Sequence, residues 1–174
     1  MKSKKIIRFF KANKTLIIRA VLIALIIVVM SLIFGFSAQT GEESSDLSGT
    51  LMASLMKIVG MDPESLSAEE FEAAELVLRK LGHFTEYALL GALVCLLILT
   101  YSVKRWLAAV FATAFSFVYA CLDELHQLLV PDRGARFTDV LIDTGGSLFG
   151  SALALGLVLL TLAALSRKKK KKSK

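Results

Sequence analysis

No aspartate or glutamate occurs before Glu42 or after Asp143, although the chain carries 15 acidic residues. Proline occurs only twice, at Pro63 and Pro131, and neither falls inside an apolar run. Cysteine is equally scarce, and Cys95 and Cys121 fall at different depths of their runs, so both are expected to be small core residues and not a disulfide. Strict alternation of apolar and polar residues is missing, which excludes a transmembrane barrel. The Gly-x-Ser-x-Gly of membrane serine hydrolases and a Ser-Gly-His block of the lipid-phosphatase kind are absent too, which disfavours those two mechanisms. No internal repeat or interrupted apolar segment supports a transporter that relays protons.

What the chain does have is apolar length. Its 174 residues are 55% apolar, with a mean hydropathy of +0.65, beyond the usual range of soluble domains. Four runs, at about 16–36, 81–101, 106–130 and 139–165, each approach the ~20 residues a helix needs to cross ~30 Å of hydrocarbon. The expected fold is all-α: one integral membrane four-helix bundle spanning 1–174, with an amphipathic helical outer loop between spans one and two. A cleaved signal peptide ending near Ser37-Ala38 would need a shorter apolar core, so the first run is expected to stay as a span.

Charge sets the expected orientation. Lys2, Lys4, Lys5, Arg8, Lys11, Lys14 and Arg19 precede or open span one, Lys104 and Arg105 separate spans two and three, and Arg167, Lys168 to Lys172 and Lys174 follow span four. Four crossings bring all three groups to one face, and the positive-inside tendency makes that face cytoplasmic. A multi-pass protein of the bacterial cytoplasmic membrane with both termini cytoplasmic is therefore expected, with Trp106 as an interfacial anchor. The net charge of +6 reads as topology and attraction to anionic lipid, with no nucleic-acid partner.

The loop between spans one and two is too long for an idle linker. Leu47, Leu51, Leu55 and Val59 form a helical stripe after capping groups at Ser44, Ser45 and Asp46, which suits a helix lying on the membrane or lidding the bundle. Asp62-Pro63 suits a helix start, and Ser67-Ala68-Glu69-Glu70 reads as a capping box from which one helix continues into span two.

Three polar stripes then converge on the outer level. Span two opens with Arg79, Lys80, His83, Glu86 and Tyr87; span three ends with Asp123, Glu124, His126 and Gln127; a tight basic turn with Arg133 and Arg136 leads to Asp139 and Asp143. Gly146 and Gly150 would let a neighbouring backbone approach and press Asp143 into the bundle, or serve a homo-oligomer. The residues of the three stripes other than His126 are the candidate ligand contacts, and four readings compete for the whole set. An ion-pair network would join Arg133 or Arg136 to Asp123, Asp139 or Asp143, and His83 to Glu86, for structure alone. An anion site would use Arg79, Lys80, Arg133 and Arg136 on a phosphate or pyrophosphate head group. A metal site would draw on His83, Glu86, Asp123 and His126, a hydrolase or transferase also on Glu124 or Asp143 as acid. A proton relay is the fourth. No cofactor is required, and a divalent metal is compatible with the residues.

Phe36-Ser37-Ala38-Gln39-Thr40-Gly41-Glu42-Glu43-Ser44, Lys80-Leu81-Gly82-His83-Phe84-Thr85-Glu86-Tyr87, Asp123-Glu124-Leu125-His126-Gln127 and Arg133-Gly134-Ala135-Arg136-Phe137-Thr138-Asp139 together resemble the VanZ-like family of bacterial membrane proteins. The resemblance brings Ser37 and Gln39 into the candidate set. It departs at Asp132, where a glycine or small residue is expected, and at Asp143, where the resemblance implies asparagine in many relatives. For function it implies lowered sensitivity to teicoplanin-type lipoglycopeptides in some members, with no assigned reaction. The expected role is binding or shielding of an anionic, lipid-linked or lipophilic ligand at the outer leaflet, such as a phosphate-bearing cell-wall precursor or the lipoglycopeptide itself. A membrane-embedded hydrolase or transferase on a lipid-linked envelope substrate is the alternative.

Overall fold

A computed structural model describes residues 13–172. The basic residues Lys2, Lys4, Lys5, Arg8 and Lys11 lie outside the described residues, as does Lys174. Five α-helices and one 3-10 turn account for the described fold, with no strand among them: α1 Lys14–Ser37, α2 Gly41–Ile58, the turn Pro63–Ser65, α3 Ala68–Leu99, α4 Arg105–Gln127 and α5 Phe137–Lys172. Four of these, all but α2, are long and apolar enough to cross a membrane. Leu, Ile, Val and Phe side chains are exposed on all four of those helices, as expected where lipid is the solvent.

Local chemistry sets the helix starts. Thr40 and Glu43 form a reciprocal capping box, the Thr40 hydroxyl accepting from the Glu43 N–H at 3.2 Å and the Glu43 carboxylate accepting from the Thr40 N–H at 2.9 Å. That pair starts α2 ahead of Ser44, Ser45 and Asp46, which the sequence offered as caps and which lie inside the helix instead. Gly60, at φ +79, ends α2, and the Met61 N–H returns to the Met56 carbonyl at 2.8 Å. Ser67 and Glu70 cap α3 in the same reciprocal way, and α3 then runs unbroken for 32 residues. At 1.5 Å per residue that is about 48 Å, longer than the ~30 Å hydrocarbon layer, so its first turns stand beyond the apolar zone.

On that protruding stretch α2 packs. Ser48 donates to Glu75 at 2.7 Å, and Gly49 lies beside Phe71. The face of α2 turned inward is Ser44, Ser48 and Met56, while Leu47, Leu51 and Leu55 are exposed. The apolar stripe therefore points away from the bundle, the arrangement of a helix resting on a bilayer surface.

The closest packing is between α3 and α5. Gly146 lies against the Phe84 backbone, Gly150 against Ala88, and Gly91 against Ser147. The small-residue pair is thus spent inside the chain, in a helix contact where backbones touch. Ala108, Ala112, Ser116 and Ala120, four residues apart, give α4 a small buried face. From α1, Ile26, Val29 and Ile33 join the core, and the Met30 carbonyl accepts from the Tyr119 hydroxyl at 2.7 Å. Cys95 and Cys121 are both free thiols.

At one end, Arg19 donates to the Thr100 hydroxyl and carbonyl at 2.9 and 2.8 Å and lies 3.8 Å over the Tyr101 ring. The C-terminus of α1, the first half of α3, the C-terminus of α4 and the N-terminus of α5 meet at the opposite end, where the acidic residues gather.

Candidate functional site

The polar end is built from the α4–α5 connection. Helix α4 stops at Gln127, short of Pro131, and a short turn follows in which the Val130 N–H reaches the Gln127 carbonyl at 3.1 Å. Asp132 takes a left-handed conformation, φ 58, which aspartate tolerates better than most side chains and glycine best. Its carbonyl lies on Gly41, whose N–H donates to the Pro131 carbonyl at 3.3 Å. The turn is therefore docked onto the first residue of α2.

Buried Glu124 holds the other limb of the turn, accepting the Arg136 N–H at 2.6 Å. The Arg133 guanidinium donates to the Gln39 carbonyl at 3.1 Å and reaches the Phe36 carbonyl at 3.5 Å. A cation at these terminal carbonyls complements the negative end of the α1 dipole. Burial and the neighbouring Arg79 lower the Arg133 pKa, while Asp123 and Glu124 work to keep its proton. Gln127 donates to the Ser37 hydroxyl at 2.9 Å. Ser37 and Gln39 thus lock α1 to α4 and to the turn.

Ion pairing differs from the network expected from sequence. Lys80 bonds Asp139 at 2.7 Å with both side chains about one-third exposed, so water screens the pair. His83 Nδ1 stands 4.0 Å from Asp143 Oδ1, and Asp143 is almost fully buried. Neither Arg133 nor Arg136 pairs with a carboxylate among the described residues, and His83 does not pair with Glu86.

Between these groups lies a cavity of about 110 Å³. Arg79, Lys80, His83, Glu124, Gln127, Arg133, Arg136, Asp139 and Asp143 line it, all of them sequence candidates. Gly41, Leu76, Asp132, Gly134 and Ile142 complete the wall and had not been singled out as ligand contacts. Of these, Asp132 carried a legible signal, the glycine-like turn position; the place of Gly41 depends on a contact 90 residues away in sequence, which no local pattern reveals.

The remaining candidates lie deeper or to one side. Tyr87 is fully buried with its hydroxyl unpartnered, its ring 6.2 Å from that of Tyr119. Asp123, buried below the cavity, joins His83 and Asp143 in a cluster whose ligand-capable atoms all lie within 4.8 Å of one another. Glu86 and His126 stand outside that cluster. His126 instead packs on Phe34, ring centroids 4.4 Å apart, and so faces α1.

Comparison with curated proteins finds no match, and comparison with solved structures finds none. A family model described as VanZ/LLP1 matches residues 22–161, well over half of the chain and all of the cavity. The chain belongs to the VanZ/LLP1 family.

Proposed function

We propose that this membrane protein binds the phosphate-bearing head of an anionic lipid or lipid-linked ligand in the polar cavity, at the extracytoplasmic leaflet of a bacterial cytoplasmic membrane. The observation that carries the reading is the guanidinium groups left free of carboxylates: Arg79 and Arg136 line the cavity without an ion-pair partner, and Arg133 is held by backbone carbonyls. Arginine's planar fork matches phosphate oxygens, and at head-group depth such groups meet lipid phosphates first. About 110 Å³ is less than the ~300–1,000 Å³ typical of sites that enclose a whole small molecule, so a head group enters and the rest of the ligand stays in lipid or water. Orientation rests on charge: in the sequence, sixteen of the 21 cationic residues precede or open span one, separate spans two and three, or follow span four. In the cell, occupancy or shielding of a cell-wall precursor at this leaflet would lower sensitivity to teicoplanin-type glycopeptides.

The test is binding of a polyprenyl phosphate and of the uncharged polyprenol to the purified chain in nanodiscs. Arg79→Gln and Arg136→Gln are each expected to weaken phosphate binding roughly tenfold, as loss of a charge-assisted contact implies, and to leave the polyprenol unaffected. Equal affinity for the two lipids, or unchanged phosphate binding in both variants, would overturn the reading.

A further inference from the structure

Asp123 and Asp143 are the acidic side chains most completely withdrawn from solvent, 3% and 1% exposed, and they come from different helices, α4 and α5. None of their four carboxylate oxygens has a hydrogen-bond partner at bonding geometry. The Ser37 hydroxyl, which accepts from Gln127 and so keeps its own proton free, and the Gln127 amide stand beside Asp123 as longer-range donors, whereas Asp143 has only charged neighbours. Of the nearby cations, Lys80 is committed to Asp139 and Arg133 to the carbonyls that end α1, and neither Arg79 nor Arg136 pairs with Asp123 or Asp143. Two adjoining carboxylates buried with no donor at bonding distance are costly as anions, and something positive must compensate them.

His83 supplies the third side of the cluster. It descends from α3, so three helices each contribute one ligand-capable group, all within 4.8 Å of one another. We infer that His83, Asp123 and Asp143 form a site for one divalent cation of the zinc or manganese class. One imidazole nitrogen with two carboxylate oxygens is a mixed donor set that these ions accept readily, whereas magnesium and calcium favour oxygen alone. Two carboxylates and one dication sum to zero charge, which answers the burial. Ligands of a ~2.1 Å site sit about 3.0–3.4 Å apart, so binding draws the three side chains inward by about 1 Å, a rotamer adjustment on fixed helices. His83 and Asp143 also line the cavity, so the ion's open positions face that space. The carboxylate at 143 is this chain's departure from the pattern it resembles, and the inference is made for this chain. It stands whether or not the cavity binds phosphate.

The full-length chain, purified in detergent and stripped with EDTA, is equilibrated with Zn²⁺ or Mn²⁺ and washed, and metal per chain is measured. One ion per chain is expected, with a rise in unfolding temperature on metal addition and nitrogen coupling in the Mn²⁺ electron spin resonance spectrum. Asp123→Asn and Asp143→Asn should each weaken binding roughly tenfold or more, while Glu86→Gln and His126→Gln, outside the cluster, retain it. Should the asparagine variants fail to fold, His83→Gln and the metal-dependent unfolding temperature of the unaltered chain carry the test. Absence of stoichiometric metal, full retention in Asp143→Asn, or asparagine variants more stable than a parent that metal does not stabilise would overturn the inference; the last would assign the pair to a shared proton.

Discussion

Gly150 of α5 lies so close to Ala88 of α3 that a Cβ added there would overlap the Ala88 carbonyl oxygen. One turn toward the polar end, Gly146 meets the Phe84 backbone in the same way, and Phe84 is the residue after His83. The two contacts set the axial register of α3 against α5, and with it the 4.0 Å approach of His83 to Asp143. Replacement of either glycine by valine must push backbone from backbone, since no flexible side chain is there to yield. We expect Gly150→Val to lower stability by about 1–3 kcal/mol or more, read as a reduced midpoint in detergent thermal unfolding. Gly35→Val, where a Cβ meets nothing within 4 Å, is the matched control and should leave the midpoint nearly unchanged.

The turn at Asp132 makes a second, opposite expectation. Its positive φ costs an ordinary L-residue roughly 1–2 kcal/mol, and glycine nearly nothing. Asp132→Gly should therefore hold or raise the unfolding midpoint, and Asp132→Val should lower it. Because the Asp132 carbonyl rests on Gly41, Gly41→Ala should produce the same loss from the other side of the contact. A melt in which Asp132→Val matches the parent would show that the turn is not held in this conformation.

How far the sequence reached depended on whether the signal was local. The four spans, the Ser67 capping box and the run of α3 from that box into the membrane were legible because hydropathy and capping act over a few residues. Convergence of His83, Asp123, Asp139 and Asp143 at one end followed from counting crossings. Pair choice was not legible. Arg133 finds carbonyls at the end of α1 and Lys80 takes Asp139, because reach is decided by helix rotation and by a turn docked on Gly41, which spacing along one helix does not encode. His126 shares a face with Asp123 by spacing, yet its ring is claimed by Phe34.

Glu124 tests whether the turn is held from below. Its carboxylate accepts the Arg136 N–H in a buried setting, so Glu124→Ala leaves that donor unpaired and opens space beneath Arg136. A cost of about 1–3 kcal/mol is expected, while Glu124→Gln keeps an acceptor and should cost less. Amide hydrogen exchange at Arg136 is the local readout: protection should fall in Glu124→Ala and persist in Glu124→Gln. Unchanged protection in the alanine variant would mean that the turn is fixed by Arg133 and Gly41 alone.

Orientation is the step on which the ligand proposal depends, and it is open to a direct experiment. Ala135 is exposed in the α4–α5 turn at the acidic end, and Ser102 is exposed at the basic end between α3 and α4. Single cysteines at these positions, in a background with Cys95 and Cys121 replaced by serine, report which face each occupies. A membrane-impermeant maleimide added to intact cells should label Ala135→Cys and leave Ser102→Cys untouched until the cells are lysed, since cationic loops are retained on the cytoplasmic side. The reverse pattern would turn the cavity toward the cytosol. Arg79 and Arg136 would then face inner-leaflet head groups, and a role against glycopeptides, which act on precursors outside the membrane, would lose its physical basis.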